Sequence, residues 1–398
     1  MTSFLHIEEP AARRPVAPRF ALWQLGFRPF YLLASGFAAL SIALWALQFS
    51  GWLGTPYLAG PMWHAHEMLF GFALAVVVGF LFTAVRNWAG QPTPTGAPLA
   101  AIAALWLAGR VLVLTPWGWA AAIVDTAFPL VAAAALAKPL VAGHNRRNYF
   151  FVGLLAALGV ASLAVHLAQL QVITLPGWLG IQVGLDLVLF IMTVMGGRVI
   201  PMFTNNGVPG TNARRDPRLE KAALGGVLAL IAADLAGLHG APLAALLALV
   251  AAAHLGRLAL WQPWKTLRTP IVWVLHLAYA WIVVHLALRA AAQLGWLLPS
   301  LATHALTVGA IGGLTIGMMT RTARGHTARP LRADRWEIAC YLLVPAAALV
   351  RVFVPMVAPG QTLHAVLCSA LLWTAGFGLY FVRYWPILTR PRLDGKPG

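Results

Sequence analysis

Residues 63 to 68 read Trp63-His64-Ala65-His66-Glu67-Met68, the densest group of potential ligands in the chain. On a helix successive residues turn by about 100°, so His64 and His66 point about 200° apart while Glu67 and Met68 return towards the side of His64. One helix end can therefore address two neighbouring centres with one imidazole each, whereas a single iron could not readily take both. A second apolar run opens with Leu301-Ala302-Thr303-His304. Behind these histidines run stripes of small residues, Gly71, Ala75 and Gly79 in one helix and Gly309, Gly313 and Gly317 in the other. Such stripes let another helix or a flat macrocycle come close. Together they point to a bis-histidine haem between two helices, with His304 opposite His64 or His66 and the other histidine free for a second site. The competing reading is that the polar groups sit in a wet interfacial layer and the glycines serve helix packing.

The remaining chemistry is thinner. His276 and His285 are nine residues apart, about 13 Å along a helix and on opposite faces, so they cannot serve one centre. Each is also compatible with a hydrogen bond to a neighbouring carbonyl. His326 lies 22 residues beyond His304, about 33 Å on a continuous helix, which assigns the two to opposite ends of their span. Arg198 and Arg321 could clamp haem propionates or an anion, or simply be arginines at the basic end of their helices. Asp125, Asp186 and Asp234 fall inside apolar runs, where unpaired carboxylates are costly to retain; Arg110 or the histidines are candidate partners. Two cysteines, Cys340 and Cys368, cannot build a disulfide framework or a four-thiolate site, so a bound metal must rely on His, Met or carboxylate.

The elements that must position these groups follow from composition. Of 398 residues 60% are apolar and only 10% are charged, against about 25% charged in soluble domains. That excludes an ordinary soluble enzyme. Apolar runs able to cross about 30 Å of hydrocarbon recur twelve times: near 30–49, 68–85, 99–114, 119–137, 149–170, 178–197, 222–238, 242–260, 271–291, 301–320, 336–356 and 363–382. The expected fold is an all-α polytopic membrane protein of about twelve transmembrane helices, with a cytoplasmic tail at 1–29, one bundle over 30–384 and a cytoplasmic tail at 385–398. The net charge of +17 is spread over alternate short connections and the two tails, which argues against a nucleic-acid partner. With both termini inside, every Lys and Arg except Arg110, Arg289 and Arg351 lies in or beside an inner segment, as the positive-inside rule requires. The second, sixth and tenth runs each end in an inner arginine (Arg86, Arg198, Arg321), a pattern that suits a threefold pseudo-repeat of four helices, though topology alone also produces it.

The strings HAHEMLFGF (64–72) with GFLFTAVRNWAG (79–90), GGRVIPMFTNN (196–206) and HALTVGAIGGLTIGMMTRTARGH (304–326) closely resemble the NnrS family of bacterial membrane proteins. The likeness runs from Trp23-Gln24-Leu25-Gly26-Phe27-Arg28-Pro29-Phe30 to the last helix. One departure is Arg86, where the family string tends to have proline. The resemblance implies a multi-pass inner-membrane protein with haem, expected to be of b type, and copper. It further implies an association with denitrification and nitrosative stress, with nitric oxide as the small ligand that is bound or detoxified. The motif positions carried over are His64, His66, Glu67, Arg198, Asn205, Asn206, His304, Arg321 and His326, with His276 less specific. His64, His66, Glu67, His276, His304 and His326 are the candidate metal ligands, and His64, His66, His304, Arg198 and Arg321 the candidate haem contacts. An oxidoreductase acting on nitric oxide would need an electron donor, and the chain has no cytochrome-c-like module to receive electrons. The rival function is secondary transport of a small solute, because twelve helices, glycine stripes and buried acids also suit alternating access.

Overall fold

The computed structural model describes residues 20–396 except 50 and 53–55; most of the expected N-terminal tail therefore lies outside the described residues. All twelve apolar runs form helices, and no strand occurs among the described residues. They are α1 (Phe27–Phe49), α2 (Gly60–Ala89), α3 (Gly96–Leu112), α4 (Gly118–Ala142), α5 (Phe150–Gln169), α6 (Gly177–Gly207), α7 (Pro217–Leu235), α8 (Ala241–Leu260), α9 (Pro270–Gln293), α10 (Pro299–His326), α11 (Arg335–Val357) and α12 (Thr362–Thr389). Ten are long and apolar enough to cross a membrane. Of the other two, α3 is a shorter apolar helix, and α7 opens with Arg218, Glu220 and Lys221.

Each helix satisfies its own backbone, the condition for sitting in hydrocarbon. Faces turned away from the bundle carry exposed apolar side chains such as Ile123, Leu249, Leu371 and Val382. Exposed tryptophans gather at the two ends: Trp117, Trp119, Trp178 and Trp296 at one, Trp264, Trp336 and Trp385 at the other. Their amphipathic rings suit the two membrane–water interfaces. We call these the histidine end and the arginine end. The first described residues meet the end of α12 at the arginine end, where Ala21 N donates to Thr389 O and Arg28 Nη1 donates to Leu388 O at 2.9 Å.

Three arcs build the bundle: α3–α5 lead into α6, α7–α9 into α10, and α11, α12 and α1 into α2. The last-named helices of the three arcs, α6, α10 and α2, approach one another around an apolar cavity of about 90 Å³ lined by Val76, Met192, Met195, Ile311 and Met318. These are the three helices that carry Arg86, Arg198 and Arg321. Close approach relies on the glycine stripes. A Cβ at Gly79 would lie 2.7 Å from Phe30 of α1, and one at Gly313 would lie 2.7 Å from Ala278 of α9. The stripes are therefore filled by helix packing, not by a macrocycle.

Candidate functional site

Proline starts both histidine-bearing helices, Pro61 in α2 and Pro299 in α10. Its fixed φ and missing N–H suit the first helical turn. His64 and His304 follow in the second turn. Directly beyond, the backbone widens into π-helix in both, over Glu67–Ala73 and Ala305–Gly312. π segments are rare and concentrate at functional sites; here two occur in matching places.

His64 and His304 line one cavity of about 600 Å³, within the roughly 300–1,000 Å³ of cofactor and small-molecule sites. His304 Nδ1 donates to Ser300 O at 2.6 Å, which leaves the Nε2 lone pair free, the tautomer that a metal ligand needs. The His64 ring stacks on Trp45 with centroids 4.4 Å apart, and its buried Nδ1 has no hydrogen-bond partner. Met68, Phe72, Trp178 and Trp373 contribute to an otherwise largely apolar wall. A haem-sized apolar chamber with two imidazoles from separate helices fits the group expected from the sequence.

His66 turns the other way. Glu67 accompanies it, contrary to the expectation that Glu67 returns to the side of His64, because Arg110 of α3 and the His66 ring draw its carboxylate into a separate buried cluster. His66 Nδ1 lies 2.9 Å from Glu67 Oε1, and Arg110 Nη1 donates to that same oxygen at 2.6 Å. Arg110 also pairs with Asp125 of α4. Asp125 Oδ2 meets His66 Nε2 and His166 Nε2, each at 3.2 Å, and accepts from Ser162 Oγ at 2.7 Å. Tyr57 O–H lies 3.2 Å from His166 Nδ1. A neutral imidazole donates from one nitrogen only, yet both nitrogens of His66 face carboxylate oxygens. Two carboxylates against one guanidinium leave the cluster short of one positive charge. A metal cation held between His66, His166 and Asp125 would supply it, and the ligand atoms of these three all lie within 4.8 Å of one another. Glu67 on His66 and Tyr57 on His166 are the outer partners that orient imidazole ligands.

The other sequence candidates lie elsewhere. Arg198 donates to Asn148 Oδ1 at 2.7 Å and Arg321 stacks 3.8 Å from the Phe203 ring, both at the arginine end, so neither reaches the cavity to clamp a propionate. His326 packs on Phe27 at that same end. His276 is 2.8 Å from Thr204 Oγ1, and His285 Nδ1 donates to Ala302 O at 2.7 Å, a contact that ties α9 to α10. Asn205 pins the following loop through both its amide atoms to Ala213, while Asn206 is exposed. The Gly196-Gly197 pair makes room for Tyr279 and for Arg257 held by Glu220. Asp186 and Asp234 share Arg289. Cys340 is buried and Cys368 exposed, and both are free.

Sequence reasoning missed His166, Tyr57 and Ser162. A faint signal existed, since Ser162 and His166 are four residues apart and share one helix face. The NnrS protein family model matches residues 21–392, nearly the whole chain. The chain belongs to the NnrS family. It is thus a membrane protein of a family associated with the nitric oxide response. Comparison with curated proteins gave no significant match. Within this family member, the matched span contains both the cavity and the His66 cluster.

Proposed function

We propose that this NnrS family member holds a haem in the 600 Å³ cavity between His64 and His304, and a copper ion at His66, His166 and Asp125, and that it binds or detoxifies nitric oxide. The histidine end then faces outward from the bacterial inner membrane, with both termini in the cytoplasm, as the distribution of Lys and Arg suggests. One observation carries the reading: imidazoles from two helices, each followed by π-helix, line a single chamber.

When bound, haem and copper supply redox-active metals that can bind a diatomic gas. The chain's own residues prepare the place. Ser300 O fixes the His304 tautomer, and Trp45 fixes the plane of His64. The apolar wall excludes water and accepts a small neutral molecule. Ile311 lines both this chamber and the 90 Å³ central cavity, so one side chain forms the wall between them.

Visible absorption and metal analysis of the purified protein test the proposal. A Soret band is expected, lost in His64→Ala and His304→Ala and kept in His66→Ala, which instead loses the second metal. A colourless, metal-free protein that moves a solute in vesicles would replace this reading with transport.

A further inference from the structure

Three arginines break the charge rule by lying near the histidine end: Arg110, Arg289 and Arg351. Two are neutralised in the same way, each by two carboxylates from neighbouring helices. Arg110 takes Glu67 and Asp125; Arg289 takes Asp186 and Asp234. Arg351 takes none. It lies on α11, which follows the central helix α10 as α3, the helix of Arg110, follows α2. No hydrogen bond or ion pair engages its guanidinium among the described residues, and it lines the cavity of His64 and His304.

Among the described residues no carboxylate is left to pair with it. Of eleven acidic residues, Glu8 and Glu9 lie outside the described residues. Asp216 caps α7, and Glu220 pairs with Arg257. Asp334 and Glu337 pair with Arg324, and Asp394 with Arg392. The cavity wall contains no Asp or Glu. Of its hydroxyls, Thr303, Thr307 and Ser369 each donate to a backbone carbonyl, and none carries a charge that could offset a guanidinium. Gln182 gives its amide to Asp186 at 3.1 Å. The chamber thus carries one half-buried positive charge that no carboxylate among the described residues balances, and beside an apolar wall such a charge calls for a counter-ion.

We propose that Arg351 is the anion-binding residue of the cavity and takes a planar two-oxygen anion beside His64 and His304. The guanidinium fork matches a carboxylate or a small oxyanion such as nitrite, with two parallel hydrogen bonds. The anion comes either from a carboxylate arm of a tetrapyrrole, in which case the assignment rests on the haem reading, or from a free ion, in which case it stands without it.

Wild-type protein, Arg351→Gln and Arg351→Lys, purified in detergent, distinguish the sources. Hemin affinity is measured beside that of hemin dimethyl ester, and nitrite affinity is measured by calorimetry on haem-free protein. If the tetrapyrrole supplies the anion, Arg351→Gln weakens hemin binding about tenfold or more, the magnitude of a lost charge-assisted pair. The lysine variant recovers part of this loss, and the ester binds both proteins alike. If the anion is free, the same loss appears for nitrite. Thermal melting of the haem-free proteins checks the folded state: Arg351→Gln melts no lower than wild type, because no partner is orphaned. Unchanged affinity for both hemin and nitrite, or a wild type that binds neither, overturns the assignment. A wild type that takes nitrite but no hemin removes the haem reading and leaves Arg351 in place.

Discussion

His64 and His66, two residues apart on α2, open into different compartments. His64 lines the 600 Å³ cavity together with His304, whereas His66 sits between Glu67 at 2.9 Å and Asp125 at 3.2 Å. The turn of the helix separates them, and the π segment beginning at Glu67 places Met68 on the cavity side and the Glu67 carboxylate on the other. One helix end therefore addresses both an apolar cavity and a buried polar cluster.

The His66 centre should respond to its outer partners. Replacing His66 or His166 by alanine is expected to remove one equivalent of bound metal, and Glu67→Gln to weaken metal binding about 10–100-fold, the usual effect of an altered partner behind a ligand. Competition with a chelator of known affinity measures this. Unchanged metal content in His166→Ala would reassign the cluster to a structural role.

Arg110 is expected to matter more for stability than its place at the edge of α3 suggests. Arg110→Gln leaves Glu67 and Asp125 buried without their shared cation, at a cost of about 3–5 kcal/mol. The melting temperature of the detergent-solubilised protein should fall clearly, and Asp125→Asn in the same chain should restore part of it by removing one of the stranded charges.

Gly197 is expected to tolerate no side chain. A Cβ there would collide with Arg257 Nη2 and approach Glu220 Oε2, so the bidentate pair would have to shift. Gly197→Ala should destabilise the fold by about 1–3 kcal/mol without touching the cavity, and expression yield with melting temperature reads this directly. The control Gly225→Ala meets nothing within 4 Å and should behave as wild type.

Orientation is open to a reporter experiment. A protease site inserted at 294–298, in the connection between α9 and α10, should be cut from the periplasmic side, and sites near both termini only from the cytoplasm. The reverse pattern would place the cavity on the cytoplasmic face.

The sequence by itself determined the twelve helices and their alternation, because apolar length and the placement of Lys and Arg act locally, through the cost of putting charge into hydrocarbon. It also showed that His64 and His66 must diverge, since helical rotation is a local property. What faces each of them was decided only by tertiary packing. Arg110 is 43 residues from Glu67, and His166 is 41 from Asp125. Periodicity says which way a side chain points along its own helix, not which neighbouring helix stands there or how that helix is rotated. For the same reason the chain alone left Arg198 and Arg321 as either haem clamps or arginines of the basic helix ends, and packing sets them far from the cavity, whereas Arg351, an exception to the charge rule, lines the chamber of the two histidines.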